Sequence, residues 1–166
     1  MKKAILIVSF GTTYPDTRQK NIAAITRQVR ALYPDAVVEE AVSSTIVRNA
    51  MKKREHIEAK SPTEALESMK KQGVTHVAVF STHVIDGIEN HRMKQAVEEY
   101  RLAFEQITVA DALLTEPEDY TNVAKALWES LKEETGDAPL ILMGHGTEHA
   151  ADSSYAVMEQ ALRAYA

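Results

Sequence analysis

Cysteine is absent from the 166 residues, which excludes disulfides, thiolate metal sites, iron–sulfur ligation and cysteine nucleophiles, and agrees with a reducing compartment. No stretch approaches the roughly 20 apolar residues that span a bilayer, so no membrane partner is expected. Met1-Lys2-Lys3 before Ala4 to Val8 imitates a signal peptide. Its apolar part is short, however, and runs into Gly11-Thr12-Thr13-Tyr14-Pro15 with no small-residue cleavage site, so a cytoplasmic protein is expected. Basic residues cluster only at Lys52-Lys53-Arg54 and the net charge is −5, which argues against a nucleic-acid partner. Neither Gly-x-Gly-x-x-Gly nor a Gly-Lys-Thr/Ser loop occurs, so dinucleotide and nucleoside triphosphate binding have no handle. What is present is ordinary for a globular chain, with 45% hydrophobic and 26% charged residues. The length suits one domain with a substantial core and is short for two.

One phrase occurs twice. Ala4-Ile5-Leu6-Ile7-Val8-Ser9-Phe10-Gly11-Thr12 near one end is echoed by Pro139-Leu140-Ile141-Leu142-Met143-Gly144-His145-Gly146-Thr147 near the other. Each is an apolar run without alternation, as in a strand buried on both faces of a parallel sheet, and each ends in a Gly-Thr turn. The repeat suggests a duplicated α/β unit, with His145 standing where the first copy has Phe10.

Between the copies, strands alternate with helices. Strands are expected at about Lys3 to Ser9, Ala36 to Val42, Val74 to Ser81, Ile107 to Leu113 and Leu140 to Met143. Helices are expected at about Asp16 to Leu32, after the Ser43-Ser44 cap, from Ser61-Pro62-Thr63-Glu64 to Gly73, Glu89 to Phe104, Glu116 to Glu134 and Asp152 to Tyr165. This alternation implies βαβ crossovers, hence an α/β fold with a parallel sheet and helices on both faces. Gly136-Asp137-Ala138-Pro139 reads as a turn and a domain junction, dividing 1–136 from 137–166.

Open α/β sheets bind ligands beyond the carboxyl ends of their strands. His145 lies there between two glycines, where an imidazole can take a proton near neutral pH or ligate a divalent metal. The alternative is a strand-end histidine bonded to a backbone carbonyl. His149 is four residues on, a spacing that pairs two ligands only on a continuous helix, and a Gly-Thr turn intervenes. The second constellation, Ser81 to His91, carries His83, Asp86, Glu89 and His91, all metal-compatible or proton-transferring. From its position alone, Glu89 reads first as a helix N-terminal carboxylate serving the dipole. His76 and His91 read as structural, His56 as a solvated residue, and Arg48 as either an anion contact or a helix-surface arginine.

Lys2-Lys3-Ala4-Ile5-Leu6-Ile7-Val8-Ser9-Phe10-Gly11-Thr12-Thr13-Tyr14-Pro15-Asp16-Thr17 resembles the start of the anaerobic-pathway sirohydrochlorin cobaltochelatases. Ser44-Thr45-Ile46-Val47-Arg48, Ser81-Thr82-His83-Val84-Ile85-Asp86-Gly87 and Met143-Gly144-His145-Gly146 resemble further blocks of that family in the same order. The resemblance spans nearly the whole chain. It implies a class II chelatase with a ferrochelatase-like duplicated α/β fold, inserting a divalent metal into a tetrapyrrole without ATP in cobalamin biosynthesis. It further implies a complete second domain, of which this chain holds the first strand and helix.

By the same resemblance, His145 is the catalytic histidine that takes pyrrole protons and contacts the metal, and Glu89 is an acidic partner in the cleft. Ser9, Phe10, Gly11, Thr12, His83 and Gly146 are the expected substrate-binding residues. No prosthetic group is implied. The metal is substrate, Co2+ or, in an iron- or nickel-preferring chelatase of the same family, Fe2+ or Ni2+. Metallation must remove pyrrole N–H protons and strip water from the cation. A neutral imidazole can accept the protons and briefly hold the metal, and a nearby carboxylate offsets the positive charge. Gly11-Thr12-Thr13 and Gly146-Thr147 offer backbone N–H groups to the carboxylates of the ring. Two other readings stand beside this one: a non-catalytic tetrapyrrole- or metal-binding protein, and a flavodoxin-like single domain whose fifth strand completes one sheet. An unpaired fifth strand would also make the chain a homo-oligomer candidate.

Overall fold

Four parallel strands organise the protein: β1 (Lys3–Ser9), β2 (Val37–Val42), β3 (His76–Ser81) and β4 (Gln106–Val109), side by side in the order β2-β1-β3-β4. The structure is a computed structural model and describes residues 1–136 and 138–165. The expected helices form around the sheet. They are α1 (Pro15–Thr17), α2 (Ala23–Leu32), α3 (Thr45–Glu55), α4 (Pro62–Lys71), α5 (Ile88–Glu99), α6 (Pro117–Thr135) and α7 (Ser153–Arg163).

Local chemistry accounts for their ends. Ser44 caps α3 by accepting from the Val47 amide. Ser61 and Glu64 form a reciprocal capping box at α4, with Pro62 in the first turn, where its missing N–H costs nothing. Between α1 and α2 the backbone widens into a π-helical turn, Arg18–Ile22. That turn delivers the Arg18 guanidinium to the Thr12 carbonyl and, in a two-pronged pair at 3.2 and 2.5 Å, to the carboxylate of Glu55.

The strand order fixes where ligands can reach the sheet. The chain leaves β1 toward β2 on one side, but leaves β3 toward β4 on the other. With right-handed crossovers this puts α2 on one face and α4 and α5 together on the opposite face. The crevice between the carboxyl ends of β1 and β3 is therefore the topological switch point, where open α/β sheets bind ligands.

On the α4/α5 face, Leu6, Val8, Val77 and Val79 share one buried core with Leu66, Met69, Met93 and Val97. The α2 face is only partly covered. An open apolar groove runs from Ile25 and Val29 of α2 across Ala78 and Phe80 to Val109. β3 is consequently buried on one face only, with Phe80 on the exposed side.

Three boundaries and one element differ from the sequence-based expectation. β3 starts at His76, because Val74 and the turn before it finish the C-terminal wrap of α4, where the Val74 amide donates to the Met69 carbonyl. β4 stops at Val109, and the ladder resumes only as an isolated bridge between Ile85 and Leu114. α5 ends at Glu99 and gives way to a 3-10 turn, Arg101–Ala103.

The expected fifth strand is not a strand. Residues 140–143 pair with no ladder among the described residues, and Ile141 and Met143 are 86% and 97% exposed. Backbone hydrogen bonds define a strand, and β4, the open edge of the sheet, does not receive this segment. A single sheet completed by a fifth strand is thereby excluded. Within the expected junction, Asp137 lies outside the described residues; Gly136 ends α6 with φ 53°. α6 and α7 pack on each other, with the buried Tyr120 hydroxyl donating to Ser154 Oγ at 2.9 Å. No helix among the described residues is long and apolar enough to cross a membrane.

Candidate active site

Two of the expected segments meet at the switch point, the turn after β1 and the loop after β3. Beyond β1 the chain turns through Gly11 at φ +91°, a conformation that favours glycine, and a β-carbon there would collide with Val42 at the end of β2. Ser9 is buried and its carbonyl accepts from the Ser43 amide at 2.8 Å. Phe10 beside it presents its ring to solvent, 52% exposed. Thr12 Oγ1 accepts from the Tyr14 amide, which closes the turn. The end of β3 is tied to β1 through the Thr82 amide on the Val8 carbonyl, 2.9 Å.

His83 is buried. Its Nε2 lies 3.1 Å from Ser43 Oγ and its Nδ1 2.9 Å from Ser81 Oγ. Burial pushes its pKa down; the charge of Glu89 and the contact with Asn90 offset this only in part, so the ring is neutral at pH 7. Expected from the sequence as a substrate contact, it is instead enclosed by protein groups.

Glu89 occupies the first turn of α5, where a carboxylate favours the helix dipole. One oxygen, Oε1, accepts from Arg92 Nη1 at 2.8 Å. The other, Oε2, is buried and has no hydrogen-bond partner among the described residues. A dipole role alone leaves that oxygen unexplained, because an unpaired buried acceptor costs about 1–3 kcal/mol.

The loop after residue 143 reaches the same end of the molecule. The His149 ring packs edge-on against His91 of α5, with centroids 4.7 Å apart. Gly144 lies so close to the Tyr155 ring that a β-carbon would stand 2.5 Å from it, and Gly146 has φ +69°. His145 is exposed, with Nδ1 paired to the Gly146 carbonyl oxygen. That contact is of the kind a strand-end histidine makes with a backbone carbonyl. Among the described residues no hydrogen bond joins His145 to Glu89 or His83, and no group of three or more His, Asp or Glu side chains is gathered closely enough to hold a cation. His149 Nδ1 accepts from the Ala151 amide and caps the turn that follows.

Arg48 is spent on structure. Its guanidinium donates to the carbonyls of Val42 and Ser43 and to Thr45 Oγ1. His76 sits against Thr75 and Glu105, away from the crevice, and His56 is an exposed αL residue ending α3. The sequence reading overlooked Ser43, Ser81 and Asn90. The adjacent pair Ser43-Ser44 read as one helix cap, whereas only Ser44 caps and Ser43 turns to His83.

Together these features describe an α/β protein with histidine and carboxylate side chains beyond the carboxyl ends of its strands. The pattern of the family described as cobalt chelatase (CbiK) matches residues 3–166. The chain belongs to that family. It is 34% identical over 164 residues to a sirohydrochlorin cobaltochelatase of Salmonella typhimurium, a match covering 99% of this chain and 62% of that protein. It is also 33% identical over 171 residues to the sirohydrochlorin cobaltochelatase CbiKC of Nitratidesulfovibrio vulgaris, covering 98% of this chain and 58% of that protein. The chain thus spans about three-fifths of the length of these relatives.

Proposed function

We propose that this chain carries the base and the carboxylate of an ATP-independent, cytoplasmic cobaltochelatase that inserts Co2+ into sirohydrochlorin on the way to cobalamin. The observation that carries the reading is Glu89 Oε2, a buried carboxylate oxygen without a hydrogen-bond partner among the described residues, in the first turn after the carboxyl end of β3 in a cobalt chelatase family chain. His145 Nε2 accepts a pyrrole proton and meets the incoming cation. The Glu89 carboxylate offsets the positive charge that then develops. The N–H groups of the 11–13 and 146–147 turns receive carboxylates of the ring. In this reading residues 1–136 form one lobe and 137–166 open a second.

The test is insertion of Co2+, Fe2+ and Ni2+ into sirohydrochlorin, followed by absorbance, for the wild type and Glu89→Gln. Faster insertion of Co2+ than of the other two, slowed by Glu89→Gln, is expected. Preference for another metal would correct the choice of cation, and an undiminished rate in Glu89→Gln would remove Glu89 from the reaction.

A further inference from the structure

A chain of side chains behind the crevice has only one consistent hydrogen-bond direction. It starts at Asp86, whose carboxylate is held by Lys94 and lies 3.4 Å from His91. Burial would raise its pKa, but the hydrogen bond from Asn90 and the charges of Lys94 and His91 outweigh that and keep it below the usual value, so it is ionised. An ionised carboxylate only accepts, so the nitrogen of the Asn90 amide faces it, at 2.6 Å, and the Asn90 oxygen faces Ser81. That oxygen takes the single proton of the Ser81 hydroxyl, at 2.9 Å. Ser81 Oγ can then only accept, from the His83 amide and from His83 Nδ1. Nδ1 therefore carries the ring proton. The neutral ring leaves a bare lone pair on Nε2, and Ser43 must donate its hydroxyl proton there. Ser81, His83 and Asn90 are buried, whereas Ser43 is half-buried, so Ser43 is where the chain meets the crevice.

We propose that His83 is a positioning residue, locked by Asp86, Asn90 and Ser81, that turns the Ser43 oxygen into a pure hydrogen-bond acceptor at the mouth of the site. Such an oxygen repels a carboxylate and suits an N–H donor. On the chelatase reading, on which this part rests, the donor is a pyrrole N–H of the metal-free ring. Ser43 thereby favours the unmetallated macrocycle over the product, which has lost those protons.

The test has two readouts. Long-range 1H–15N NMR of the 166-residue chain at neutral pH should show His83 protonated at Nδ1 and bare at Nε2. In Ser43→Ala the Nε2 resonance should move while Nδ1–H stays. A ring protonated at Nε2, or at both nitrogens, overturns the assignment. In parallel, Ser43→Ala should weaken binding of metal-free sirohydrochlorin roughly five- to tenfold, the loss of one hydrogen bond, and leave binding of the cobalt form unchanged. Ser43→Thr should restore it. Equal losses for both forms, or none, overturn the acceptor role. A wild-type chain that binds neither ring sinks the chelatase reading instead, and the NMR result then decides the His83 geometry by itself.

Discussion

A β-carbon built on Gly11 stands 2.5 Å from Cγ1 of Val42, so the turn leaving β1 and the last residue of β2 are packed to the limit that glycine allows. Val42 cannot withdraw freely, since it shares a buried cluster with Val47 and Met51. The positive φ of Gly11 adds a second cost for any other residue.

Gly11→Ala should therefore lower stability by about 1–3 kcal/mol and disturb the 9–12 turn. Urea denaturation measures the first effect, and affinity for metal-free sirohydrochlorin the second. An alanine variant with wild-type stability would show that the turn relaxes without strain.

His83 gives the stability a defined pH dependence. Its pKa is lower in the folded protein than in the unfolded chain, so below the unfolded value of about 6.5 the unfolded state binds more protons. The contribution of this group is complete above that pH and is lost as pH falls from there toward the folded pKa. Urea midpoints should thus drop between pH 7.5 and 5.5, and His83→Gln should flatten that drop. An equal drop in the variant would assign the effect to other groups.

Residues 140–143 expose Ile141 and Met143 with no strand partner among the described residues, and β4 leaves an open sheet edge. Exposed apolar β-prone segments of this kind associate. Light scattering should show concentration-dependent self-association of the 166-residue chain, reduced in an Ile141→Ser, Met143→Ser double variant. A wild-type chain that stays monomeric at every concentration contradicts this.

What the sequence showed and what it hid divide by the range of the forces involved. β1, α4 with its Ser61-Pro62-Thr63-Glu64 start, and the alternation of strands and helices depend on neighbouring residues, and they form within a few residues of where the pattern puts them. Leu140 to Met143 has the same apolar pattern as β1. Whether such a run becomes a strand depends on a partner far away in the chain, about which its own side chains say nothing.

The positions of Gly11, in the turn after a strand, and of Glu89, at a helix start, were legible in the sequence. The Asp86-Asn90-Ser81-His83-Ser43 chain was not. It joins two loops 40 residues apart, and each member has a local explanation as a cap or turn residue.

The central claim is that His145 is the base, and the most direct measurement is Co2+ insertion into sirohydrochlorin by wild type and His145→Ala, followed by absorbance of the metallated product. His145 is exposed, so its removal should leave the fold and the ring affinity in place. The account predicts product from the wild type and none above the uncatalysed rate from His145→Ala. Wild-type turnover by His145→Ala would contradict it.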